Sequence, residues 1–163
     1  MSKVKKVLLI KGNNMNNTLK HPVYNAELVK SCHDLSGKWD PTKSAWLFGE
    51  MVADKVKELD DLFNSDLVIV EIKADADIIG KRHKPISFCG YAIARAYGRD
   101  SGGKLGDNIA KISGTIGSGG SSKNWHTTID KDSVFRLKMS RNLLAKHADF
   151  YDNTDDFSFE IKE

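Results

Sequence analysis

The sequence predicts an α+β protein: a β-α-β-β-α-β module at the N-terminus packed with a C-terminal antiparallel sheet rich in glycine loops. Three observations predict it. Two apolar stripes at helical spacing lie in the first half of the chain, each preceded and followed by short extended runs. From Ile86 to Met139 the pattern changes to alternating strands separated by Gly, Ser and Asn. The charge changes with it: residues 1–77 carry eleven Lys and twelve acids, residues 78–147 thirteen Lys/Arg and four acids, and residues 148–163 six acids and one Lys.

The chain has 163 residues and a 40% hydrophobic content, enough for a packed core. It divides into an αβ module over 1–77 and a basic, β-rich module with an acidic tail over 78–163, joined at Ala74-Asp-Ala-Asp77, or it forms one compact domain. The longest apolar runs, Val7–Ile10 and Leu67–Val70, are strands and far short of a membrane span. The charged start Met1-Ser-Lys-Val-Lys-Lys lacks the apolar region of a secretory signal. Cys32 and Cys89 have neither metal-ligand nor disulfide-scaffold spacing, so reduced core thiols and a cytoplasmic location are expected.

Val4–Ile10 reads as the first strand and Asn13–Thr18 as a polar loop. Tyr24, Leu28, Cys32 and Leu35 form one face of a helix, with Gly37 at its C-cap. Asp40-Pro41 is a turn signal between Trp39 and Trp46, which predicts a hairpin with Trp46 inside and Trp39 more exposed. A second helix follows, with Met51, Val52, Val56, Leu59, Leu62 and Phe63 on its buried side, and then a strand over Leu67–Ile72. In the second half, Ile86–Tyr97 reads as one long strand with a bulge at Gly90. Further strands are expected at Asn108–Thr115, Trp125–Ile129 and Val134–Met139. Ser140 caps a short helix, and Phe157–Ile161 alternates like an edge strand.

Two of these segments carry a resemblance. Tyr24-Asn-Ala-Glu-Leu-Val and Lys38-Trp-Asp-Pro-Thr-Lys-Ser-Ala-Trp-Leu-Phe48, followed by a helix, resemble the HARP module of annealing helicases over residues 24–63. The resemblance implies contact with branched or single-stranded DNA; the helicase motor of that family has no counterpart in this chain.

The residues themselves give a second pointer. Eight of the thirteen glycines fall between Gly98 and Gly120, interleaved with Lys, Arg, Ser and Asn. Glycine-rich loops turn backbone N–H groups toward anions, and clustered cations attract a polyanion over distance. Arg95, Arg99, Lys104, Lys111, Lys123, Arg136 and Lys138 are candidate phosphate contacts, Ser118, Ser121 and Ser122 hydrogen-bond donors. Tyr97 and Trp125 are candidate stacking platforms, with His126 as a phosphate or base contact. Trp125 is expected to be partly exposed and near Tyr97 or His126. The acidic tail is placed to cover the basic sheet when no ligand is bound.

Catalytic patterns fail on inspection. Gly98-Arg-Asp-Ser-Gly-Gly103 looks like a serine-protease nucleophile loop, but Arg99 stands where that loop has glycine and no His/Asp partners are suitably placed. Ser118–Lys123 lacks the spacing of a phosphate-binding P-loop. The five His are scattered, so neither a metal site nor a cofactor is expected. The sequence thus predicts a non-catalytic protein that binds single-stranded or structured DNA or RNA. The alternative is a small viral or plasmid-borne factor that binds and modulates a host protein. Self-association is compatible with either.

Overall fold

The computed structural model describes residues 17–150 and 153–162, so the strand expected over Val4–Ile10 lies outside the described residues. Strand β1 (Asn17–Leu19) occupies part of the expected polar loop, because Leu19 is buried and the segment pairs with the Trp46 strand. Helix α1 (Ala26–Asp34) buries Leu28 and Cys32 and is capped by Asn25, whose side chain accepts from the Glu27 and Leu28 amides. Tyr24 therefore precedes the helix instead of opening its buried stripe, and it is 64% exposed. At the other end Gly37 N–H donates to Cys32 O and Ser36 N–H to His33 O, a Schellman arrangement. The left-handed residue is Ser36 (φ 60), one position before the glycine marked by the sequence.

Strands β2 (Lys38–Asp40) and β3 (Ala45–Phe48) form the expected hairpin, with Trp39 directly opposite Trp46. Asp40 holds the turn by accepting from the Thr42 and Lys43 amides. Trp46 is 8% exposed and Trp39 50%: the two share one face of the hairpin, and His33 of α1 covers Trp46 while Trp39 is left at the edge. A 3₁₀ turn (Glu50–Val52) leads into α2 (Ala53–Asn64), which buries Val56 and Phe63. Met51 is a correction. It sits in the 3₁₀ turn, off the 3.6-residue stripe, and is 95% exposed.

The chain continues through β4 (Leu67–Ala74) and β5 (Ile78–Ile79) into a second hairpin, β6 (Ile86–Phe88) and β7 (Tyr91–Ala96). The sequence predicts one long strand here. Cys89 (φ 51) and Gly90 (φ 87) instead make a two-residue turn of the kind that needs positive φ at both positions. Gly90 is required for a second reason, since a Cβ there would run into the Asn25 side chain. The remaining strands are β8 (Gly103–Leu105), β9 (Ala110–Ser113), β10 (Ile116–Gly120), β11 (Trp125–Ile129) and β12 (Val134–Ser140). Ser140 caps α3 (Arg141–Ala145), and β13 (Phe157–Lys162) follows the tail.

The protein is α+β, built from antiparallel sheets ordered β1-β3-β2, β13-β4-β12-β9, β6-β7-β8 and β10-β11-β5. β4 comes from the first half of the sequence and both its neighbours from the second. One cluster of buried side chains likewise runs from Leu19, Leu28 and Phe63 through Val70 and Ile72 to Ile93, Phe135 and Met139. The two modules read from the sequence share that core. Among the described residues of the tail, β13 pairs in plane with β4, and buried Thr154 accepts from the Cys89 amide.

Candidate nucleic-acid interface

The geometry of β7 decides where its polar residues point. Simple alternation would place Arg95 and Tyr97 on the same side as Tyr91 and Ile93, which are buried. The register of β6 against β7 shifts between Ile86 and Ser87, pairing Ile86 with Ala94 but Ser87 with Ala92. The extra residue lets Ile93 and Ala94 both turn inward, each 0% exposed. Arg95 and Tyr97 then emerge on the outer side with Ala92, which is how a bulge re-aims side chains. Arg95 pairs across the strands with Lys104, and its guanidinium lies 5.5 Å from the Tyr97 ring centre.

A second basic segment meets this one from far along the chain. Lys81–Lys84 forms a turn closed by Lys84 N–H donating to Lys81 O, with His83 left-handed at φ 61. Three contacts fix that turn on the tip of the β10–β11 hairpin. The His83 amide donates to Trp125 O, its Nε2 lies 2.7 Å from Lys123 O, and its ring rests on the Trp125 indole at 3.9 Å. Arg82 adds a bond to Asn124 Oδ1. Buried Thr127 ties the pieces together: its hydroxyl accepts from the Ala96 amide at 2.8 Å and donates to Lys84 O at 3.4 Å.

The result is a groove of about 480 Å³ bordered by Lys81, His83, Lys84 and Arg95, with Tyr24 at one side and no carboxylate in its lining. Lys81, Arg82, Lys84, Arg95, Lys104 and Lys123 form no ion pair among the described residues. The helix α1 N-terminus, which also borders the groove, is not an anion site. Its Ala26 amide donates to Gly90 O and the next two amides to Asn25.

Of the residues singled out in the sequence, the structure brings Arg95, Tyr97, Lys104, Lys123 and Trp125 to this end of the molecule. Trp125 is half-buried and its ring partner is His83, not Tyr97 or His126. His126 points to the other side of β11, over Gly119. The glycine-rich segment is mainly scaffold. Ser118 Oγ donates to Arg99 O and accepts from the Gly102 amide, holding the β7–β8 loop onto β10. A Cβ on Gly103 would sit 2.9 Å from the Gly117 nitrogen, so the two backbones approach as only glycine permits. Ser121 Oγ accepts from the Asn124 amide to close the hairpin tip, and Ser122 is exposed beside it. Arg99 is paired with Asp100, and Ser101 Oγ, which donates to Gly102 O at 2.7 Å, lies 3.1 Å from Gly98 O and accepts from the Tyr97 amide, serves the loop's own backbone.

Lys111, Arg136 and Lys138 lie elsewhere, on the β4-β12-β9 sheet. Arg136 faces Glu71 across the strands at 2.9 Å, and this guanidinium holds the Glu71 carboxyl below the usual carboxylate range. Its charge is therefore neutralised within the sheet. Lys111 Nζ donates to Gly114 O, and Lys138 is exposed opposite Ile69. The residues missed by sequence reasoning include Lys81, His83, Lys84 and Thr127. The run Lys81-Arg-His-Lys84 is visible in the sequence, but its attachment to Trp125 spans about forty residues and carries no local signal.

Among the described residues no group of three or more His, Cys, Asp or Glu is arranged to hold a metal ion, and no helix is long and apolar enough to cross a membrane. The fold and the groove together define an antiparallel α+β protein with an acid-free cationic groove at one end. Comparison with protein-family models, curated proteins and solved structures finds no match to the chain.

Proposed function

We propose that the protein binds single-stranded or structured nucleic acid, without chemistry, along the groove between the Lys81–Lys84 turn and Arg95. One observation carries this reading. Arg95 and Lys104 stand directly opposite each other on neighbouring strands with no acid in ion-pair reach, at the edge of a groove lined by two further lysines. Like charges in that position cost stability. Cations elsewhere, such as Arg99, Arg136 and Arg141, have carboxylate partners. A phosphate chain in the groove relieves the repulsion and releases its own counterions, which is the dominant source of such affinity. The resemblance of residues 24–63 to HARP modules favours the same class of partner. Two buried free thiols accord with a reducing compartment such as the cytoplasm.

The test is fluorescence anisotropy with a labelled single-stranded oligonucleotide at several salt concentrations. With four cations engaged, the slope of log K against log salt is expected near −3, at roughly −0.7 per phosphate contact. Lys84→Glu with Arg95→Glu should weaken binding at least about tenfold and flatten the slope by about 1.4. Unchanged binding in that double variant would refute the groove assignment. Absence of any salt-dependent binding by the wild type would turn the reading to a protein-interaction factor, with exposed Trp39 and Met51 as its contact points.

A further inference from the structure

A second concavity adjoins the groove. It measures about 790 Å³ and is walled by Trp39, Trp46, Tyr24, Pro22, Leu28 and Val29. Tyr24 lines both spaces, with Asn25 on the cleft side and Ala26, the first residue of α1, on the groove side, so the two concavities meet at Tyr24. Trp46 is clamped, with His33 edge-on to its ring at 5.1 Å and Trp39 at 5.8 Å. Trp39 stands on a hairpin whose turn is locked by Asp40, yet half of its surface remains open. A rigid, half-covered indole in an apolar cleft is a ready stacking face.

The amide and imidazole atoms in the wall are already committed. His21 places Nδ1 at 2.6 Å from Asn64 Oδ1 and Nε2 at 2.7 Å from the Tyr91 hydroxyl. Asn64 gives its amide N–H groups to Lys20 O and Asp60, so its oxygen faces the histidine and Nδ1 carries a proton. Asn25 spends its oxygen on the Glu27 and Leu28 amides and its nitrogen on Cys89 O. Burial pushes the Tyr91 phenol well above its usual range, which keeps it a neutral member of this network. The one charged group in the cleft lining is Lys20, which has no ion-pair partner among the described residues.

We infer that the cleft receives an unpaired base from a strand whose phosphates lie in the adjacent groove, stacking it on Trp39 with Tyr24 at the threshold. Three features select this occupant. The neighbouring groove is cationic, both linings lack a carboxylate, and Lys20 stands ready for a further phosphate beyond the base. With the wall's amide and imidazole groups used internally, the base is held chiefly by its faces. The site therefore takes any base, with purines favoured by their larger stacking area. The inference rests on the groove reading given above, and its test separates the two.

The experiment compares two labelled single strands of about ten nucleotides, one oligodeoxyadenosine and one abasic with the same phosphates, by anisotropy. The wild type should prefer the base-bearing strand at least about tenfold, within the range expected for stacking one base. Trp39→Ala should reduce that preference to about twofold or less, while abasic binding and salt slope stay unchanged and the melting temperature falls by no more than about 4 °C. Trp39→Phe should restore most of it. Lys84→Glu with Arg95→Glu should instead weaken both strands together. Equal binding of the two strands by wild type and Trp39→Ala, with salt dependence intact, overturns the cleft inference and leaves the groove standing. A Trp39→Ala variant that loses both strands equally, with a lowered melting temperature, also overturns it. Failure of the wild type to hold either strand at low salt removes the groove reading and this inference with it.

Discussion

Thr127→Val isolates a side chain that joins the two basic segments. Valine has nearly the same shape, so no cavity opens, but the hydroxyl is lost from a site that is 1% exposed. Two bonds go: the 2.8 Å bond from the Ala96 amide and the weaker one to Lys84 O. Ala96 is itself buried, so its N–H is left without a partner, at a cost of about 1–3 kcal/mol. Lys84 O has lost only a long bond at an exposed turn and adds little. Urea denaturation should therefore show a fall of about 1–3 kcal/mol at unchanged m-value, or a melting point lower by roughly 2–12 °C. Thr128→Val is the control. Thr128 points to the other side of β11, its hydroxyl makes no hydrogen bond among the described residues, and its change should stay within about 0.5 kcal/mol. Binding to single strands should weaken in Thr127→Val alone, because the Lys81–Lys84 turn loses a tie to β11. Equal stability of the two variants would refute the claim that the Thr127 hydroxyl satisfies Ala96 and holds the groove.

Three further outcomes follow from the packing and the titrations. Trp46→Ala should cost about 3–5 kcal/mol as a buried aromatic truncation, whereas Trp39→Ala, half exposed, should cost less than about 1 kcal/mol in the same urea titration. Burial pushes the Cys32 thiol up to about 11, so near pH 8 only about one molecule in a thousand carries its thiolate. Alkylation of Cys32 in the native protein should be slow and should accelerate sharply in denaturant, and rapid native labelling would show that α1 opens readily. Glu71 has its folded pKa lowered by Arg136, so its contribution is present above the unfolded value of about 4.3 and lost as pH falls through the folded value. Melting temperature should drop between about pH 5 and 3 more steeply in the wild type than in Glu71→Gln; parallel curves would mean that the Arg136 pair contributes nothing.

What the sequence by itself determined is what neighbours along the chain determine. The Lys38–Phe48 hairpin follows from Asp40-Pro41 between alternating aromatics, and the α1 face from apolar spacing at Leu28 and Cys32. The Ser140 cap and the β12 alternation of Phe135, Leu137 and Met139 are equally local. The basic character of the second half was also legible, since charge needs no geometry to be counted. Tertiary structure alone decided the rest. Ile116–Gly120 has almost no intrinsic strand preference and becomes β10 because β11 supplies a partner for its backbone. Cys89 takes a positive φ that its side chain does not favour, because the Asn25 amide, the Ala26 N–H and Thr154 seize the turn from three directions. Arg95 reaches the surface only through a bulge, and Arg136 is withdrawn by a glutamate sixty-five residues away. A cation's availability depends on which carboxylate the fold places beside it, and strand register, set by burial across the whole sheet, makes that choice.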